Sequence, residues 1–168
     1  DHASIVEGKR LSFSKTLKYR HNDMDALEKL LKKCDPDKLK VIVTDGVFSM
    51  EGDVAKLPRM VELSKKYNAS IMVDEAHSLG VFGKTGAGVC EHFGASNDVD
   101  LIMGTFSKSL GTIGGFVASD EKIINYLKHN SRTLIFSASI TPASTGCVLA
   151  ALDVMEEEVK KVVDQTLQ

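Results

Sequence analysis

An α/β fold, with a largely parallel sheet flanked by helices, is what three observations predict. Short apolar runs rich in β-branched residues alternate with segments of helical spacing. The runs are apolar almost throughout rather than alternating, the pattern of strands covered on both faces. Each run ends in polar residues, and open parallel sheets bind their ligands just beyond the carboxyl ends of their strands.

Taken in order, "NDMDALEKLLKKC" places Leu27, Leu30, Leu31 and Cys34 on one helical face, with Asn22 or Asp23 as the cap. "LKVIVTDGVF" predicts the first strand, ending at Asp45-Gly46. Helical spacing returns in "VAKLPRMVELSKKYN", followed by a second strand in "SIMVDEAHSLG" and a third in "VDLIMGTFSKS". "GGFVAS" predicts a fourth. Ser119 or Asp120 would cap a helix in "DEKIINYLKHN", and Thr141-Pro142 would start the long helix "PASTGCVLAALDVMEEEVKKVV". No internal repeat, low-complexity tract or long linker divides the chain.

With 168 residues, 43% hydrophobic and 26% charged, the sequence suits one soluble globular domain. A net charge of -2 with scattered lysines gives no footprint for nucleic acid and points to a small-molecule partner. Cys34, Cys90 and Cys147 cannot all pair and form no C-x-x-C, so reduced thiols are expected. No apolar stretch nears the roughly 18 residues of a membrane span and no signal peptide opens the chain, which gives a cytoplasmic expectation. The chain opens on "DHASIVEG" without Met and stops within a charged helical pattern, which predicts a piece of a longer protein.

The strand ends carry the chemistry: Thr44, Asp45 and Ser49 after the first, Asp74 and His77 after the second, Thr105, Ser107 and Lys108 after the third. Convergence of three strands on one edge weighs more than any single residue. Asp74 reads as a cap or internal salt bridge, or as a carboxylate that holds a protonated heterocyclic nitrogen. His77 reads equally as a core histidine satisfied by backbone. Lys108 has only Thr, Ser, Gly and apolar neighbours, a setting in which desolvation would free the neutral amine for Schiff-base chemistry. Thr105 and Ser107 can donate to phosphate oxygens. A carboxylate, hydroxyl donors and an amine together match pyridoxal 5'-phosphate, with its ring nitrogen, phosphate and aldehyde.

Two rival readings fail. "VDEAH" has the letters of a helicase acidic motif, but no phosphate loop precedes it. Gly83-Lys84-Thr85 follows it, with Ser78 at the first glycine position, and around Lys108 Ile102 and Ser107 occupy both glycine positions. The histidines show no metal-ligand spacing, and His92 and His129 read as solvated.

The motifs "DHAS", "HND", "TDGVFSMEGD", "VDEAHSLGVFGKTGAG", "GTFSKSLGTIGGF" and "FSASITP" follow one another as in the α-oxoamine synthases, pyridoxal-phosphate enzymes of the aspartate-aminotransferase fold type, and the chain resembles that family over its whole length. The resemblance implies that residues 1–168 are the cofactor-binding core of a fold type I large domain, without the family's N-terminal segment and most of its C-terminal small domain. It implies that Lys108 forms the Schiff base and later moves the Cα proton, that Asp74 binds the pyridine nitrogen, and that His77, with Ser49, reaches the ring's phenolic oxygen. His2 would stack on the ring, although from sequence alone it reads as a capping histidine. Thr105 and Ser107 would bind phosphate, joined by Ser137 from the partner subunit of a homodimer. "GTFSKSLGTIGGF" and "YLKHNSRTLIFSASITPAS" are most similar to the bacterial branch that condenses L-serine with palmitoyl-CoA to 3-oxosphinganine. Glycine C-acetyltransferase and 8-amino-7-oxononanoate synthase are the alternative branches, and a non-catalytic fragment that folds and dimerises is another reading. Asp45 stands where much of the family has Glu.

Overall fold

The computed structural model describes residues 2–166. In chain order the elements are α1 (Ala3–Leu11), α2 (Met24–Leu31), β1 (Val41–Asp45), α3 (Leu57–Tyr67), β2 (Ser70–Asp74), α4 (Val89–His92), β3 (Leu101–Thr105), β4 (Gly115–Ser119), α5 (Glu121–Asn130), α6 (Arg132–Ile135) and α7 (Pro142–Thr166). The strands form one sheet in sequence order, with β1, β2 and β3 parallel and β4 antiparallel to β3. Nine residues, 106–114, separate β3 from β4, too few for the crossover that a parallel neighbour needs.

The core forms around β2. Ile71 and Val73, two apart on one face, are fully buried in a cluster with Leu57, Met60 and Leu63 of α3. Met24, Leu27 and Leu31 extend the cluster along α2. Val43 and Met72, on alternate positions, are only half-buried. The expectation of strands covered on both faces is therefore met on one face, because the described elements supply a closed helical layer on that side alone.

Caps explain several boundaries. The Asp23 carboxylate accepts from the Ala26 N–H at 2.8 Å, which decides between the two candidate caps of α2, while Asn22 turns away to Asp53 and the Val54 carbonyl. Asn68 ends α3 in the left-handed conformation that asparagine tolerates, and β2 begins two residues later. Thr141 caps α7 through its hydroxyl to the Ser144 N–H, with Pro142 in the first turn. Neither expected cap of α5 acts as one: Asp120 occupies the position without a side-chain bond, and the Ser119 hydroxyl donates to the Asp100 carbonyl instead. Among the described residues no helix is long and apolar enough to cross a membrane.

Candidate functional site

The parallel register brings the three strand ends together. Asp45 and Asp74 are Cα partners across β1 and β2, and Asp74 is partnered across β3 by Met103, two residues before Thr105. Asp74 is only 5% exposed. Its Oδ1 accepts from the Ala76 N–H at 2.9 Å. No described side-chain oxygen or nitrogen is buried without a partner, so the second carboxylate oxygen, which has none, reaches the open edge. A nearly buried carboxylate with a single donor is under-neutralised and favours a cationic group at that edge.

β1 brings a second contact. The His2 backbone N–H donates to Asp45 Oδ1 at 3.4 Å, which sets the start of α1 beside Asp74. The His2 ring caps that helix, its Nδ1 accepting from the Ser4 N–H at 3.3 Å, so the capping reading holds and the exposed ring stands at the same edge. Thr44 is spent within the fold: it is buried and its hydroxyl donates to the Asp45 carbonyl.

Beyond β3 the chain closes a hairpin. The Phe106 N–H donates to the Gly114 carbonyl at 3.0 Å, the Thr112 N–H to the Phe106 carbonyl at 2.8 Å and the Gly111 N–H to the Lys108 carbonyl at 3.0 Å. Thr105 and Ser107 hold their hydroxyls 2.9 Å apart, and the Thr105 hydroxyl also reaches the Gly114 carbonyl at 3.3 Å, so an oxyanion would have to draw the pair from these bonds. Lys108 sits on the outer turn, and its ammonium makes no ion pair or hydrogen bond among the described residues. It is exposed, contrary to the desolvated setting expected for it. Its neighbours Ser107, Ser109 and Gly111 are short and exposed themselves, while Leu110 is the residue of the turn that is buried.

His77 is exposed between the buried Ala76 and Ser78 and makes no hydrogen bond, which removes the reading of a backbone-satisfied core histidine. Ser49 stands at the tip of a hairpin closed by the Phe48 N–H to the Asp53 carbonyl, and the hairpin is pinned by His21 and Asn22 on the Asp53 carboxylate. Ser137 lies exposed between α6 and α7. Neither serine is hydrogen-bonded to the strand-end residues; the sheet register brings the ends of β1, β2 and β3 to one edge, with the His2 backbone on Asp45, and Lys108 and His77 stand on the turns that follow.

Sequence reasoning missed Glu75, which is buried behind this edge, and Glu91. The Glu91 carboxylate accepts from the Thr85 N–H and hydroxyl and from the Ala87 N–H. Burial would raise this carboxyl, yet those donors outweigh it and hold the group below its ordinary range. The Gly83-Lys84-Thr85 string is thus folded around a protein carboxylate rather than a nucleotide phosphate. Burial, reinforced by Glu75, pushes the Cys90 thiol well above its usual range, so it is inert. No group of His, Cys, Asp or Glu suited to a metal ion occurs among the described residues.

The edge therefore offers a carboxylate for a cation, a hydroxyl pair for an oxyanion, an unpaired primary amine and an unpaired imidazole. This donor set fits pyridoxal phosphate. The profile of the aminotransferase class I and II family matches residues 1–168. A serine palmitoyltransferase of Bacteroides ovatus is 65% identical over 96% of the chain and 41% of its own length. An 8-amino-7-oxononanoate synthase of Thermosipho melanesiensis is 45% identical over 96% of the chain and 41% of its own length. Among solved structures, a Sphingomonas wittichii serine palmitoyltransferase superposes with a TM-score of 0.89 at 40% identity, covering 93% of this chain and 39% of that one. A lysine-to-alanine variant of the S. paucimobilis serine palmitoyltransferase, with bound PLP and myriocin, gives 0.89 at 38% identity over 93% and 39%. The chain spans about two fifths of the length of the curated relatives it matches.

Proposed function

The chain belongs to the aminotransferase class I and II family, and from that premise we propose that it is the cofactor-binding core of a pyridoxal-phosphate-dependent acyltransferase. The reaction is the condensation of L-serine with palmitoyl-CoA, which releases carbon dioxide and CoA and leaves 3-oxosphinganine, a step of sphingolipid synthesis. The observation that carries the cofactor reading is Asp74, buried at the end of β2 with a single donor, on the sheet whose next strand leads into the hydroxyl pair and the lysine. Preference for serine and palmitoyl-CoA is supported by 65% identity to a serine palmitoyltransferase against 45% to an 8-amino-7-oxononanoate synthase.

When bound, the cofactor supplies an electrophilic aldehyde carbon and a protonated ring that draws electrons from the amino acid's Cα. Asp74 holds the proton on the ring nitrogen, since a carboxylate short of donors favours the charged form of its partner. Thr105 and Ser107 would hold the phosphate, joined by Ser137 of a second copy in a homodimer. His77, with Ser49, would donate to the phenolic oxygen, and His2 would orient the ring. Lys108 Nζ would hold the cofactor's aldehyde carbon and would serve as the base for the amino acid's Cα proton. Three free cysteines agree with a cytoplasmic setting.

Absorbance and borohydride reduction after addition of pyridoxal phosphate test the core of this reading. The chain should take up cofactor that becomes permanently attached on reduction, and Lys108→Ala should lose that attachment completely. Equal behaviour of the two proteins would remove the Schiff-base role. The full-length polypeptide assayed with serine, glycine and alanine against short and long acyl-CoAs should prefer serine with palmitoyl-CoA. Preference for glycine with acetyl-CoA, or for alanine with a dicarboxylic acyl-CoA, would move it to one of the alternative branches. Cofactor uptake without turnover in any combination would leave a non-catalytic binding unit.

A further inference from the structure

Directly after Asp74 lies Glu75, whose side chain is 0% exposed. A carboxylate cut off from water persists only where donors surround it. Three do: the Val89 N–H at 2.9 Å from Oε2, the Cys90 N–H at 2.7 Å from Oε1, and the Ser78 hydroxyl at Oε2. The two amides belong to the first turn of α4, where the N–H groups have no partner within the helix. Room for the carboxylate comes from two glycines. A Cβ at Gly46 would stand 2.7 Å from Oε2, and one at Gly88 would stand 2.6 Å from Cδ.

The backbone of the same residue ties three further pieces. Its N–H donates to the Met103 carbonyl of β3 at 2.7 Å, and its carbonyl accepts from the Ser78 and Leu79 N–H groups at 3.1 and 2.9 Å. The turn that follows is thus held at both ends, at residue 75 and again at residue 78 through the hydroxyl. His77 stands on the open side of that turn, and Asp74 enters it through its own bond to Ala76.

We propose that Glu75 is a positioning residue for the cofactor site: its buried carboxylate clamps the 74–79 turn to the first turn of α4 and so fixes the directions in which Asp74 and His77 present themselves. The ligand's identity rests on the function proposed above, whereas the clamp rests on contacts within the chain. Charge type matters here, because both backbone groups and the hydroxyl are donors. A glutamine would turn its own N–H donors toward one of them and leave that contact unmade.

Glu75→Gln and Gly46→Ala test this from two sides, the first by chemistry and the second by pressing a methyl group on an unaltered carboxylate. In cofactor-free protein both variants should speed amide hydrogen exchange at Ala76, Ser78 and Leu79. Pyridoxal phosphate titrated into the folded variants should bind roughly tenfold more weakly, the scale of one lost charged hydrogen bond. A residue that only stabilised the fold would lower the unfolding midpoint and leave the affinity of the folded fraction unchanged. That result, or wild-type exchange rates in the turn, overturns the proposal. If the wild-type chain itself took up no cofactor, the proposed function would fall, and the exchange rates alone would then decide the clamp.

Discussion

Residues 24–105 and residues 113–158 differ in what holds them. In the first region Leu57, Met60, Leu63, Ile71 and Val73 are fully buried against one another, and every residue of the main core cluster lies there. In the second, α5 and α6 bury no residue, and α7 buries only Val148 among its described side chains. Leu134, Leu149 and Val154 are more than half exposed, and Phe136 is 79% exposed. The accessible area of 11402 Å² stands well above the roughly 8,000 Å² that size scaling gives for a compact monomer of this mass. One region carries its own core, and the other presents apolar surface without one. The proposed site divides along the same line. Asp74 and its Glu75 clamp stand on the self-supporting part, Lys108 stands on the hairpin at the seam, and Ser137 stands on the part without a core.

The largest effect that would test this division comes from matched leucines. Leu63→Ala should lower the unfolding free energy in urea by about 2–5 kcal/mol, since it empties a filled core position. Leu149→Ala should stay within about 0.5 kcal/mol. Equal losses would erase the contrast. A smaller effect probes the seam, where Gly104 faces Phe116 across β3 and β4 and an added Cβ would stand 2.6 Å from the ring's Cζ. Gly104→Ala should cost about 1–3 kcal/mol if the ring is packed in place. An unchanged melting temperature would mean that Phe116 swings aside, and that β4 is held no more firmly than α5.

The smallest effect lies at the surface of the first region. Glu28 of α2 accepts from Lys66 at 2.7 Å and from Tyr67 at 2.8 Å, both on α3. The Lys66 ammonium first, and then the Tyr67 hydroxyl, hold the Glu28 carboxyl at about 2, below its ordinary 4.5. A lowered folded-state value means that the tie contributes fully above the unfolded value and is lost as pH falls from about 4.5 toward 2. The melting temperature of the wild type should therefore fall more steeply over that acid window than that of Glu28→Gln. Parallel curves would show that the link between the two helices adds nothing to the first region.

The sheet and the strand-end residues were legible because both follow from local pattern: an apolar run, then Asp74 or Thr105. Antiparallel β4 was legible in principle, since 106–114 is too short for a crossover. Helix α1 was not, because it buries nothing and so leaves no apolar stripe to find. Glu75 escaped for a different reason. Its partners Val89 and Cys90 lie 14 and 15 residues away on a four-residue helix, and nothing in the string "DEAH" separates a buried glutamate from a solvated one. The one local sign is Ser78 at i+3. The exposure of Lys108 was equally hidden, since apolar neighbours in sequence do not say which surface covers them.

The nine-residue return between β3 and β4 has a consequence for kinetics. Its backbone bonds from Phe106 to Gly114 and Thr112 make it a short leash, and Lys108 is fixed on it a few residues from the hydroxyl pair. An amine so tethered meets whatever is bound at that edge at a high effective concentration, as an intramolecular partner rather than a solute. Residues inserted between Ser107 and Lys108 would lengthen the leash and dilute the amine without altering a single side chain of the site.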